Sequence, residues 1–199
     1  WHCLNFLSWR RAFKIKKIIE QQFCDLVIGH NLMGLSYLLP RLIAQPYVQV
    51  IHDIQLLHPS GLLYYGQEQK LRTWWAKFYQ LLTNWCFKPI RLIISPSRWL
   101  LQLHQEFGFF AASLTKVLAN PQPLKTVNRA NNQPTKFIGL FVGQLAKHKG
   151  AKLLVQAWLE LNKLIHQPNE LWLVGSGQAK ADLEKISQHQ AKIKFLGQL

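Results

Sequence analysis

Short apolar runs that end in a small or polar residue alternate with longer amphipathic segments along nearly the whole chain, and few folds accept that rhythm. Residues 25–29 (DLVIG), 47–52 (YVQVIH), 91–95 (RLIIS) and 115–118 read as buried strands, rich in branched side chains and closed by Gly, His, Ser or Leu. Between them, residues 8–22 and 97–106 carry apolar positions at three- and four-residue spacing, as a helix does. A small-residue and Leu-rich helix is expected over 32–44, with Pro40 kinking or ending it early. A long helix is expected over 67–88. Residues 120–135 are rich in Asn, Pro and Gln, and 123–135 reads as a linker. After it the rhythm restarts, with strands at 136–142, 170–174 and 192–196 and helices at 151–166 and 178–190. Strands separated by helices pair in parallel, with helices on both faces. The expected fold class is α/β, with domains at 1–122 and 136–199.

Charge narrows the partners. The chain has 199 residues and a formal net charge of +15. The two halves are about equally basic, so no single arm carries the charge. Nucleic acid, an anionic membrane surface and phosphorylated small molecules are the candidate partners. No RNP, KH or zinc-finger pattern is present, so specific nucleic-acid binding is not expected. Arg10, Arg11, Lys14, Lys16 and Lys17 read first as a solvated helix face. Cys3, Cys24 and Cys86 form no CxxC pair, which favours a reducing, cytoplasmic setting over a disulfide framework or zinc knuckle. The eight His form no HxxxH or HExxH, so no metal site is expected. Residue 1 is Trp and the only Met is Met33, so the chain reads as a piece of a longer one.

In parallel sheets ligands sit beyond the carboxyl ends of the strands. The richest exit is FVGQLAKHKGAKLLVQAW, where Gly143, a short loop, Lys149 and Gly150 lead into an amphipathic helix. Glycines allow close backbone approach, the helix start offers free N–H groups, and Lys147 and Lys149 add charge. That combination suits a phosphate or diphosphate, although an ordinary strand-to-helix turn with solvated lysines has the same pattern. It is neither a Walker A loop nor GxGxxG. The next exit, LWLVGSG, places Gly175 and Gly177 similarly, and the third is KFLGQL. Elsewhere, His52 at a strand exit is a candidate contact, and Asp53 a cap. His30-Asn31, also at a strand exit, reads as a turn-forming pair, with a place facing the cleft as the alternative, and Ser97 reads as a helix cap. The Trp74/Trp75/Phe78/Trp85 stripe reads as core, with docking on a bilayer beside Lys70, Arg72, Lys77 and Lys88 as the alternative.

FVGQLAKHKGAKLLVQAW, LWLVGSGQAKADLE and IKFLGQL, in this order and spacing, resemble the donor-domain start of GT-B glycosyltransferases of the family 4 (group 1) type. DLVIGHN, VQVIHD and RLIISPSRWL are consistent with the acceptor domain of the same family. The resemblance implies two Rossmann-like domains, both incomplete over these residues. It also implies a metal-independent, retaining transfer of a sugar from a nucleotide-sugar donor to a sugar or lipid-linked acceptor. The GRLxxxKG element of the family falls on Gly143–Gly150, with Lys149 implied to meet the donor diphosphate. Its Arg falls on Gln144, a departure that removes a bidentate phosphate grip. His52 is implied to contact the donor sugar and take part in catalysis. Gly175, Gly177, Gly197 and Leu199 are implied to lie by the donor nucleotide. The carboxylate motif that would follow in such enzymes has no counterpart, since no Asp or Glu follows Glu184. Weak or absent transfer by this chain alone is therefore expected. A nucleotide-sugar-binding relative without catalysis and a basic nucleic-acid-binding protein are the other readings.

Overall fold

The computed structural model describes residues 7–32, 34–64, 66–121, 136–164, 169–187 and 192–198. The chain divides into two compact units, Trp1–Leu124 and Lys125–Leu199, and the expected linker 123–135 lies outside the described residues.

The first unit holds a four-stranded sheet of β1 (Val27–Gly29), β2 (Tyr47–Val50), β3 (Leu92–Ser95) and β4 (Leu114–Val117). Its order is β1-β2-β3-β4 and every pair is parallel, with Gly29 beside Gln49 and Ile94 beside Val50. Sequential parallel neighbours require crossover connections. Helices α1 (Trp9–Gln21), α2 (Leu39–Leu42), α3 (Trp74–Phe87) and α4 (Arg98–Glu106) accompany the sheet. Ile93, Leu57, Phe109 and Leu71 are among the core side chains almost fully removed from water.

Three expectations in this unit are corrected. The helix expected over 32–44 is a single turn, and Pro40 helps open it instead of kinking or ending it. Proline lacks an N–H, and the first helical turn needs none. The helix expected over 67–88 is broken. A 3-10 turn spans Glu68–Arg72, then Thr73 leaves helical geometry and its Oγ1 accepts from the Ala76 N–H, capping α3 anew. Third, the aromatic stripe is not core: Trp74 is 66% exposed, Trp75 64% and Phe78 55%. The buried face of α3 instead carries Ala76, Gln80, Thr83, Cys86 and Phe87. Gln80 Nε2 donates to the Leu57 and Leu71 carbonyls at 3.1 and 2.9 Å, and Thr83 Oγ1 to the Leu56 carbonyl at 2.7 Å. These bonds satisfy carbonyls of the irregular stretch after β2, which is why polar side chains face inward here.

The second unit holds a parallel sheet of order β5-β6-β7, from β5 (Phe137–Val142), β6 (Asn169–Val174) and β7 (Ile193–Gly197), with helices α5 (Ala151–Leu164) and α6 (Lys180–Ser187). Trp158 of α5 lies over Gly139, where an added Cβ would come within 2.6 Å of the indole. Leu145, Val155, Leu171, Leu173 and Leu183 are fully buried around it. At the opposite end of β6 from its exit, Glu170 accepts from Lys136 Nζ at 2.6 Å, Trp172 Nε1 at 2.7 Å and Lys194 Nζ at 3.1 Å. Lys136 first, then the other donors, hold its carboxyl down to about 2.

Both units are α/β with parallel sheets, as the alternation in the sequence requires. No described helix is long and apolar enough to cross a membrane.

Candidate functional site

In the second unit the three strand exits are tied to one another. After β5, the Gly143 N–H donates to the Val174 carbonyl at 3.0 Å and the Leu145 N–H to the Ser176 carbonyl at 2.9 Å. After β6, the Gly175 N–H reaches the Gly197 carbonyl at 2.6 Å, and the Ala179 N–H returns to the Leu145 carbonyl at 2.9 Å. The loops therefore pack backbone against backbone. A Cβ on Gly175 would run into the Gly143 carbonyl oxygen, and one on Gly177 into that of Leu145. The sequence expectation was that these glycines admit a ligand. The chain's own neighbouring loop already demands them.

Leu145 and Ala146 are buried and anchor the β5 exit. Beyond them, Lys147–Lys149 form one 3-10 turn, closed by Gly150 in the left-handed region at φ 76°. Helix α5 starts at the next residue, and its first intrahelical bond runs from the Leu154 N–H to the Gly150 carbonyl at 2.9 Å. The N–H groups of Ala151, Lys152 and Leu153 thus belong to the unpaired first turn, where the helix dipole is positive. Gln144, Lys147 and Lys149 are solvent-exposed. Lys149 makes no ion pair among the described residues. Leu199 lies outside the described residues. The exit combines fixed backbone donors with two free cations, a chemistry matched to an anion such as a diphosphate.

In the first unit, His52 follows β2 and His30 follows β1. Their rings stack with centroids 5.3 Å apart, and His30 Nδ1 lies 3.0 Å from His52 Nε2. Below them, buried Gln49 donates from Nε2 to the His30 carbonyl at 3.1 Å, while Tyr47 donates its hydroxyl to Gln49 Oε1 at 2.8 Å. Asp53 Oδ1 accepts from the Gln55 N–H at 2.8 Å, the capping role expected of it. Partial burial raises its carboxyl, against that bond and the nearby His52. A cavity of about 30 Å³ opens beside these groups, bounded among others by His30, Asn31, His52 and Gln55. The sequence reads His30 first as a turn residue. By the β1–β2 register, which sets Gly29 beside Gln49, His30 is level with Val50 and His52 lies two residues further along, so the rings meet beyond the paired residues. Ser97 is a cap, accepting from the Leu100 N–H at 3.2 Å. No group of three or more His, Cys, Asp or Glu that could hold a metal occurs among the described residues.

Residues 125–199 match the family described as glycosyl transferases group 1. An uncharacterized 42.6 kDa protein in the cps region of Klebsiella pneumoniae is 25% identical over 154 residues, covering 75% of this chain and 41% of that protein. The structure resembles Anabaena Alr3699/HepE, solved in complex with UDP, with a TM-score of 0.67 at 17% identity over 94% of this chain and 51% of that one. It also resembles the sucrose-phosphate synthase of Thermosynechococcus elongatus, with a TM-score of 0.68 at 18% identity over 94% and 49% of the two chains. The chain thus spans about half or less of the length of these relatives, and likeness at such identity speaks for the fold alone.

Proposed function

We propose, from the match of residues 125–199 to the glycosyl transferases group 1 family and from the likeness of fold, that the chain serves transfer of a sugar from a nucleoside-diphosphate donor to an acceptor hydroxyl, with retention. In that reaction the bond from the anomeric carbon to the diphosphate oxygen breaks and a bond to the acceptor oxygen forms on the same face. The acceptor proton leaves with the nucleoside diphosphate. Lys149 and Lys147, with the first-turn amides of α5, take the charge that develops on the departing diphosphate. In this reading His52 of the first unit is a sugar contact, and Gly175, Gly177 and Gly197 of the second unit flank the nucleotide. One observation carries this reading: the β5 exit joins two exposed lysines directly to the unpaired first-turn amides of α5, in the region where the family match falls.

The acceptor is a sugar or a lipid-linked sugar, and the protein works at the inner face of a membrane. In support, Trp9 and Phe13 on α1 and Trp74, Trp75 and Leu81 on α3 are exposed among Arg10, Lys14 and Lys77. Apolar rings set among cations suit an anionic bilayer surface.

A second reading, binding without transfer, is favoured by Gln144 in place of an Arg. Titrations with UDP, GDP and ADP beside a mixed-sequence DNA duplex test the proposal. Saturable binding of one diphosphate, stronger than the DNA at physiological salt, is expected of either glycosyltransferase reading. Binding of DNA alone would return the charge to a nucleic-acid role. A labelled nucleotide-sugar assay then separates transfer from binding.

A further inference from the structure

The two imidazoles at the exits of β1 and β2 make one unit with a property that neither ring has alone. His30 Nδ1 and His52 Nε2 are 3.0 Å apart, so one hydrogen lies between them. The remaining nitrogens, Nε2 of His30 and Nδ1 of His52, have no hydrogen-bond partner among the described residues, and both residues are exposed.

A neutral imidazole carries one N–H and one lone pair. If His52 donates the inner bond, its outer Nδ1 is a lone pair and the outer Nε2 of His30 carries a hydrogen. If His30 donates, both outer roles reverse. In either tautomer the neutral pair offers one donor and one acceptor to the solvent side. A hydroxyl group has the same two capacities, since it donates one hydrogen and accepts another. A phosphate oxygen could use only the donor.

The pair is also held from below. Gln49 is 3% exposed and bonds the carbonyls of His30 and Val50, and Tyr47 fixes the Gln49 amide in turn. Gly29 leaves the space this needs, because a Cβ there would strike the Tyr47 hydroxyl. The charged neighbour facing the pair in its cavity is Asp53, and the other polar groups there are Asn31, Tyr37, Gln49 and Gln55.

We propose that His30 and His52 act together as a hydroxyl-reading pair for a sugar, with His30 as a binding residue equal in weight to His52. This rests on the glycosyltransferase reading and adds His30 to it.

The test is calorimetry on the full chain with UDP-, GDP- and ADP-linked hexoses, each against its free diphosphate. The quantity read is the affinity gained by adding the hexose. Wild type should show a gain of about tenfold for at least one donor, as a hydrogen bond or two would supply. His30→Ala and His52→Ala should each abolish that gain while leaving affinity for the free diphosphate within about twofold, and the double variant should lose no more than either. His30→Gln, which keeps a hydrogen-bonding side chain, guards against a folding defect, and it should retain part of the gain. Imidazole nitrogen NMR adds a direct readout: a coupling across the inner hydrogen bond in wild type, absent from either Ala variant. No gain for any hexose in wild type would overturn the proposal. So would a gain lost in His52→Ala but kept in His30→Ala. Failure of every diphosphate to bind would instead sink the glycosyltransferase reading, with the coupling left to report whether the pair exists.

Discussion

At His104 the chain buries an imidazole completely, and its protonation is coupled to folding. His104 Nδ1 donates to the Leu100 carbonyl at 2.8 Å, Nε2 has no partner among the described residues, and Phe109 and Phe110 pack on the ring. Burial first, against that backbone bond, pushes its titration down from 6.5 to about 4. The folded state therefore resists taking a proton that the unfolded chain accepts below about pH 6.5. Between those limits the unfolded state binds more protons, so stability rises with pH and is lost as pH falls. The full span is worth about 3 kcal/mol. Denaturant titrations at pH 7 and pH 5 should show about 2 kcal/mol of that loss in wild type, and His104→Leu should flatten it whatever its own stability. Gln144 carries a second prediction at this scale. It is exposed beside the two lysines of the β5 exit, where a guanidinium could grip a diphosphate with two parallel bonds. Gln144→Arg should tighten nucleoside-diphosphate binding by about tenfold in calorimetry. Unchanged or weaker binding would mean that this position does not face the anion.

Among the elements, α3 shows where a sequence pattern misleads. Its aromatics recur at helical spacing, and that spacing names a face without saying which way it points. The face turned inward is polar because Gln80 and Thr83 answer carbonyls of residues 56, 57 and 71, a demand set by a distant irregular segment. Thr73 looked like one more helical residue, yet its hydroxyl made it a new cap. The strands were legible because strands of a parallel sheet read as plain apolar runs, as LIIS and LWLV do, with one face of each buried and the other half-buried. Cross-strand partners such as His30 and His52 were not, because pairing is a property of two segments. The outward face of α3 gives a prediction. Tryptophan emission should shift to the blue, and the protein should co-sediment, with vesicles of one-third phosphatidylglycerol in phosphatidylcholine. Trp74→Ser with Trp75→Ser should cut partitioning by tenfold or more, since each ring removes a large apolar area from water. Equal partitioning by wild type and variant would assign that face to something other than a bilayer.

For the molecule as a whole, the fold class follows from the order of elements, and the parallel sheets are what that order permits. The candidate site at the β5 exit reads in the sequence as a glycine–lysine pattern. The glycines at 175 and 177, after β6, are explained by backbone packing between loops, so they carry less weight for a ligand than the spacing suggests. The weight falls on the lysines and the start of α5. Lys149 and Lys180 carry the same formal charge near two successive strand exits, which makes them a matched pair. Lys149 has no ion pair among the described residues and precedes unpaired helix amides, whereas Lys180 lies 3.7 Å from Glu184 on its own helix.

The most direct measurement is calorimetry of Lys149→Ala and Lys180→Ala against UDP, GDP and ADP. The loss of a charge-assisted hydrogen bond, about 1.5–3 kcal/mol, should weaken the preferred diphosphate by about ten- to a hundred-fold in Lys149→Ala. Lys180→Ala should stay within about twofold of wild type, as expected for an exposed lysine acting only through screened charge. Equal losses in the two variants would show that net charge alone attracts the nucleotide and would contradict a diphosphate site at the β5 exit.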